Sequence, residues 1–196
     1  MLNTLIVDDR NMGLYGGLLH EQFRKRHALF AQQLGWDVPR SVHIERDQYD
    51  RDETVYVLVE EAGELIGYAR LLPTTATVAY GSANFSYLVR DACQGKLPGI
   101  PSDILGEFEP PTSNEVWEMT RVEAQGRKSL IALFDAANGF LVSQGAVSAI
   151  TFTRRSFSGI LNSLGYETKI LGRDVDYGGK PYCTMSTRLK QSAAGA

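Results

Sequence analysis

The chain has 196 residues, 43% of them hydrophobic, and a formal charge of −3 at neutral pH. That length buries one sizeable core. The mild charge, without a long basic run, argues against nucleic acid as a partner, and no stretch approaches the ~18 apolar residues of a membrane span. Cys93 and Cys183 stand far apart with no CxxC spacing, so neither a zinc site nor a disulfide framework is indicated, and two isolated thiols suit a reducing cytosol. The opening MLNTLIVDDRN has too short an apolar run and too early a pair of acids for a signal peptide. A cytoplasmic location, no membrane contact and no metal are expected.

In chain order, Leu2 to Val7 reads as a strand, followed by an amphipathic helix over Leu18–Leu34. Leu19, Phe23, Phe30 and Leu34 mark its apolar face. Arg26 falls on that same face. A guanidinium cannot shed its charge, so if buried it needs carboxylate or backbone acceptors; at the stripe's edge it would instead snorkel into water. Past a helix stop at Gly35-Trp36 come Asp47 and Asp50, which are either partners for Arg26 or solvated loop acids and caps.

Val55–Glu60 and Leu65–Leu72 flank Ala62-Gly63 and form a predicted β-hairpin, ended by Pro73. Residues 74–113 are irregular, with a short helical piece at Phe85–Val89. Forty such residues in a compact domain suggest a functional loop or flap. A strand over Asn114–Val122 leads through Gly126 into a helix of about Ser129–Gln144, with Leu130, Phe134, Ala137 and Leu141 as its inner stripe. Then come a strand (Val147–Thr153), a helix (Ser156–Leu164) stopped by Gly165, and strands at Tyr166–Leu171 and Pro181–Leu189. A single domain over residues 1–190 is expected, with a frayed tail at 191–196. Helices and strands alternate in the second half, predicting parallel or mixed pairing there and a hairpin in the first half.

GxSxG, P-loop, GxGxxG and HExxH signatures are absent, and His20, His27 and His43 lack metal-ligand spacing. What remains is a charged set: Arg26, Asp47, Asp50, Arg70 on the hairpin's second strand, and Glu118 with Arg121 in WEMTR. On a regular strand Glu118 and Thr120 share one face and Arg121 takes the other, so both serve one site only if a bulge or strand end intervenes. Val116 and Val122 make the Glu118 face apolar, where a carboxylate would be desolvated and a better base. Gly126-Arg127-Lys128-Ser129 sits at a strand-to-helix junction, which either holds a phosphate or is a plain helix entry with solvated cations.

Taken together these residues resemble the acyl-homoserine-lactone synthase (autoinducer synthase) family. The family's pattern is an Arg four residues before a Phe, which is six before a Trp, then D-x-[FY]-D, a strand-end Arg, and E-x-[ST]-R. Here these are Arg26, Phe30 and Trp36, then Asp47-Gln48-Tyr49-Asp50, Arg70 in GYARLLPT, and Glu118-Met119-Thr120-Arg121. Phe85 matches a further aromatic position, and Thr151 through Gly165-Tyr166 resembles a later block, with Tyr166 where a Trp is frequent.

The resemblance implies an α/β (α+β) fold like the GNAT acetyltransferases, a twisted mixed sheet flanked by helices. It also implies a reaction in which the amine of S-adenosylmethionine (SAM) attacks the thioester of acyl carrier protein or coenzyme A. The SAM carboxylate then closes on its own γ-carbon and expels methylthioadenosine. SAM is thus a substrate, and no cofactor is implied. On this reading Glu118, with Asp47 and Arg121, is catalytic, Glu118 serving as base directly or through a water. Arg26, Phe30, Trp36, Asp47, Asp50 and Arg70 form the SAM site, the aromatics favouring the sulfonium. Phe85, Thr120, Thr151, Arg127 and Lys128 meet the acyl donor and its chain. An N-acyltransferase using acyl-CoA on another amine would explain the strand–helix order, but leaves Arg26, Trp36 and the Asp pair unassigned. An acyl-ligand-binding sensor needs neither Glu118 nor the charged cluster.

Overall fold

The computed structural model describes residues 1–35, 40 and 41 (backbone), 43–177 and 179–191. In chain order the elements are β1 (Leu2–Val7), α1 (Gly16–Arg26), a π-helical segment (His27–Gln33), the short β2 (Arg40–Ser41) and β3 (Ile44–Glu45), β4 (Val55–Glu61), β5 (Glu64–Pro73), β6 (Val78–Tyr80), β7 (Ala83–Phe85), α2 (Leu88–Cys93), β8 (Val116–Ala124), α3 (Gly126–Ser143), β9 (Ser148–Arg154), α4 (Phe157–Ser163), β10 (Glu167–Asp176) and β11 (Pro181–Arg188). They form two compact units. The first holds the described residues of Met1–Leu71 with Arg121–Ala137; the second holds Leu72–Thr120 with the described residues from Asn138 onward.

In the first unit β1, β4 and β5 pair antiparallel, with Val7 opposite Tyr56 and Val55 opposite Leu71. The β4–β5 turn is the expected one: Ala62 and Gly63 both have positive φ (54° and 85°), as a two-residue hairpin requires. The last residues of β8 lie beside β5, with the Gln125 amide donating to the Ile66 carbonyl at 2.8 Å. Leu19, Phe23 and Phe30 cluster with Tyr56, Leu58, Leu65 and Tyr68. The helix expected over Leu18–Leu34 differs in kind. It is α-helical only to Arg26, then widens into the π segment, where the Leu34 amide reaches the Leu29 carbonyl at 2.9 Å. Apolar spacing does not distinguish the two forms, because Phe23, Arg26 and Phe30 stay inward in either. Gly35, at φ 66°, ends the segment as the sequence suggested.

In the second unit the strand order is β8-β9-β11-β10, with β8 and β9 parallel and the other pairs antiparallel. The segment from 74 to 113 is more ordered than its composition suggests. It forms the β6–β7 hairpin and α2, and its helix runs Leu88–Cys93 rather than Phe85–Val89. Tyr87 is extended (φ −143°, ψ 161°), which delays the helix. Thr74 Oγ1 donates to the carbonyls of Ser113 (2.9 Å) and Val116 (2.8 Å), and the Tyr87 hydroxyl donates to the Pro111 carbonyl at 2.5 Å, so both ends of the segment are tied. Strand β10 continues to Asp176, past the expected Leu171, through an irregularity between Leu171 and Val175. There Gly172 meets the buried backbone of Ile104 and Leu105. Beyond Gln191, the tail expected at 191–196 lies outside the described residues.

Among the described residues, no helix is long and apolar enough to cross a membrane.

Candidate active site

The first unit gathers three arginines and three acids into one buried cluster. Arg26 projects from the last turn of α1 and is fully buried, as are Glu45 on β3 and Arg70 on β5. Arg26 grips Asp50 with both terminal nitrogens, Nη1 to Oδ1 at 2.6 Å and Nη2 to Oδ2 at 2.8 Å, and its Nε donates to Glu45. Arg70 Nη1 reaches Asp47 Oδ1 at 2.6 Å and Asp50 Oδ2 at 3.2 Å. Arg121 Nη2 closes the circuit, lying 2.9 Å from both Glu45 Oε1 and Asp47 Oδ2. The formal charges cancel. Each guanidinium lies near an aromatic ring: Arg26 with Phe23 at 5.3 Å, Arg70 with Tyr49 at 5.4 Å, and Arg121 with Phe30 at 5.0 Å.

Local chain geometry sets the acids. The Asp50 amide donates to the Asp47 carbonyl, while the Asp47 amide donates back to Asp50 Oδ2 and the Tyr49 amide to Asp47 Oδ1, each close to 3 Å. The D-x-Y-D run is thus a turn that aims two carboxylates the same way. The Tyr56 hydroxyl donates to Asp50 Oδ1 at 2.9 Å. Arg121 reaches the cluster because its own backbone is unusual. At φ 54° it is a non-glycine residue in left-handed conformation inside a strand, a local break in regular β geometry.

Burial alone would raise the acids' pKa values, but the facing arginines outweigh it. Arg121 and Arg26 bring Glu45 down from 4.5 to about 2, and Arg26 and Arg70 hold Asp50 well below the usual carboxylate range. A depressed folded-state pKa contributes stability above the unfolded value and loses it as pH falls through the folded one. The window for Glu45 therefore runs from pH 4.5 down to about 2. Stability is expected to fall on the order of 3 kcal/mol across it. Melting from pH 7 to 2 should show that slope, weakened in Glu45→Gln. A parent protein whose melting temperature is flat from pH 5 to 3 would contradict the cluster's electrostatics.

Glu118 belongs to the second unit, where it is 1% exposed. Its two oxygens accept the first amides of α2, Leu88 N to Oε2 at 3.0 Å and Val89 N to Oε1 at 2.9 Å. Strand β8 is registered with β9 over Val116–Glu118. Thr120 and Thr151 are nearly buried, and Thr151 stands opposite Met185. Phe85, half-buried, contacts Tyr80 edge-on and Lys96. In the first unit, Arg127 and Lys128 are exposed on the opening turn of α3, where Gly126 has φ 84° and Ser129 Oγ donates to the Gln125 carbonyl at 2.8 Å. His20, His27 and His43 line an open groove with Arg24 and Lys25 on the outer side of α1. Trp36 lies outside the described residues.

The structure therefore brings Arg26, Phe30, Asp47, Asp50, Arg70 and Arg121 together. It adds Glu45 and Tyr56, which sequence reasoning had not singled out, and sets Tyr49 of the D-x-Y-D run against Arg70.

A model of the autoinducer synthase family matches residues 13–180. The chain belongs to the autoinducer synthase family. An acyl-homoserine-lactone synthase from Ralstonia solanacearum is 43% identical over 103 residues, 51% of this chain and 42% of that one. The chain thus spans under half the length of the first curated relatives it matches. The crystal structure of TofI, in a ternary complex with an inhibitor and MTA, is 29% identical with a TM-score of 0.76, over 96% of this chain and 92% of that one. The CoA-dependent acyl-homoserine lactone synthase BjaI, with SAM and isopentyl-CoA, is 19% identical with a TM-score of 0.81, over 97% and 84%, and shows the shared fold. The GNAT-like mixed α/β fold implied by the resemblance is the fold of the chain.

Proposed function

We propose that the protein is an acyl-homoserine-lactone synthase making a quorum-sensing signal in the cytoplasm. It transfers an acyl group from acyl carrier protein or acyl-CoA to the amine of SAM and lactonises the product. The observation that carries this reading is the charge-balanced cluster of Arg26, Arg70, Arg121, Glu45, Asp47 and Asp50 within the matched family region. A general amine acyltransferase has no use for so costly a burial of six charges. The side chains of Arg26, Glu45, Arg70 and Asp50 are fully buried and serve as scaffold, whereas those of Asp47 and Arg121 keep 3% and 6% exposure and lie nearest to where a substrate would approach. SAM carries an ammonium, a carboxylate and a sulfonium. Asp47 and Asp50 attract its cations, Arg121 its carboxylate, and Phe30 with Trp36 the sulfonium.

The amine is largely protonated near neutral pH and releases a proton before it attacks the thioester carbonyl. The C–N bond forms, the C–S bond breaks and the thiol leaves. The carboxylate then displaces methylthioadenosine from the γ-carbon. The sulfonium is already a good leaving group, so this step needs no further acid and no cofactor. TofI's complex with MTA, the leaving product in this chemistry, supports the reading. Arg127 and Lys128 suit the phosphate of a pantetheine arm. Incubating the purified protein with SAM and acyl thioesters, and identifying the products by mass, tests the reading.

We place Thr151 against the acyl chain near its 3-carbon, where its hydroxyl donates to a 3-oxo group. Thr151→Val keeps the shape and deletes the donor, and a buried unmatched carbonyl costs ~1–3 kcal/mol. Competition between 3-oxo and unsubstituted donors of equal length should then shift toward unsubstituted product by roughly tenfold. An unchanged ratio would remove Thr151 from chain selection.

A further inference from the structure

Glu118 is a buried carboxylate whose two oxygens are both engaged by backbone amides. Charge-assisted bonds of that kind are among the stronger ones in a protein. Their partners open α2, in the segment between β5 and β8 that also holds the β6–β7 hairpin. From there the connections continue. The Asp91 amide donates to the Tyr87 carbonyl at 2.9 Å, Asp91 Oδ2 accepts the Ser86 amide at 2.8 Å, and Lys96 bridges the Asn84 carbonyl and Asp91. Ser86 and Asn84 flank Phe85. The Tyr87 hydroxyl, on the Pro111 carbonyl, fastens the segment's far end. Glu118 is also the last residue of β8 in register with β9. A single carboxylate thus joins the strand, at the point where that register ends, to the helix that follows Phe85.

We propose that Glu118 acts in the reaction as a positioning residue and not as the proton acceptor. It clamps the start of α2, and so Phe85, in place for the acyl donor. The proposal rests on the synthase reading for its consequence in catalysis, but the clamp is measurable without turnover. Two amides donated to the carboxylate favour its ionised form and make it a weaker base, whereas a clamp needs both amides to stay bound.

Two substitutions separate these roles. Glu118→Gln keeps the shape but sets an NH₂ against one of the two amides. Leu88→Pro leaves Glu118 untouched and deletes the single amide on Oε2. Proline is well suited to a first helical position, and the preceding Tyr87 already has the extended conformation that proline demands. Leu88→Ala controls for the lost side chain.

With the full chain, Glu118→Gln should speed hydrogen exchange at the Leu88 and Val89 amides by about tenfold or more. Leu88→Pro should do the same at Val89. In turnover, both should raise KM for the acyl donor about tenfold or more while KM for SAM stays. The ascending limb of the pH profile of kcat/KM should survive in both. Three results would each overturn the clamp: unchanged exchange in Glu118→Gln, loss of that pH limb in Glu118→Gln, or a Leu88→Pro protein that matches Leu88→Ala in exchange and KM. If the parent made no lactone, the synthase reading would fail while the exchange measurement still decided the clamp.

Discussion

Arg26→Met should cost about 3–5 kcal/mol, a large share of the ~5–15 kcal/mol that holds a typical domain together. Methionine matches the arginine stem in length and apolarity, so the loss isolates the charge. Arg26 is fully buried and serves Glu45 and Asp50. Removing it leaves buried carboxylates short of a cation, and breaking a buried pair on one side is costlier than replacing the whole pair. The penalty should itself depend on pH. In the parent, Arg26 helps to hold Glu45 at about 2 and Asp50 below the carboxylate range. Without Arg26 those acids protonate more readily on acidification, which relieves the unpaired charge in the variant, so the gap between variant and parent should narrow. Urea denaturation at pH 7 and at pH 3 checks both statements. A variant with the parent's midpoint at pH 7 would contradict the cluster.

Gly172→Ala should be nearly as damaging, for an unrelated reason. Gly172 has φ 71°, and a Cβ there would lie 2.5 Å from the Ile104 carbonyl oxygen and 2.7 Å from the Leu105 carbonyl carbon. Both obstacles are backbone of fully buried residues, so neither yields easily. Left-handed strain of ~1–2 kcal/mol and overpacking of ~1–3 kcal/mol together suggest a loss of about 2–5 kcal/mol. The strap around Ile104–Leu105 should detach from β10 first, making residues 97–112 the earliest site of limited proteolysis. Gly106 provides the comparison, since a Cβ there meets Gly172 Cα at an ordinary 3.4 Å. Gly106→Ala retains some strain, at φ 59°, and should be milder. Equal denaturation midpoints for Gly172→Ala and the parent would show that the close approach is not rigid.

Much of this was legible in the chain itself. Arg26 betrayed the cluster because it interrupted an apolar helical stripe, and a charge that cannot be lost implies partners nearby. The D-x-Y-D turn and the Ala62-Gly63 hairpin are local chemistry, written in consecutive residues. Glu45 was not legible. It sits two residues before Asp47 in an acidic and basic run without periodicity, so nothing local separates it from Arg46, yet it links Arg26 to Arg121 across 19 and 76 residues of chain. The π-helical turn after Arg26 was invisible for a related reason, since the same inward residues serve either winding. The start of α2 is not written locally, because its first amides are capped by Glu118, 29 and 30 residues away. The role of Gly172 is not legible in sequence, because a glycine's need for space is a property of whatever lies against it.

What becomes of SAM distinguishes a lactone synthase from a simple N-acyltransferase. The direct measurement is a stoichiometry: purified protein, SAM and a panel of acyl carrier protein and coenzyme A thioesters, with free thiol, methylthioadenosine and acylated product quantified together. The expected result is one methylthioadenosine and one thiol per acyl-homoserine lactone. Thiol release with an open-chain acylated amine and intact SAM would contradict the claim and identify a simple N-acyltransferase.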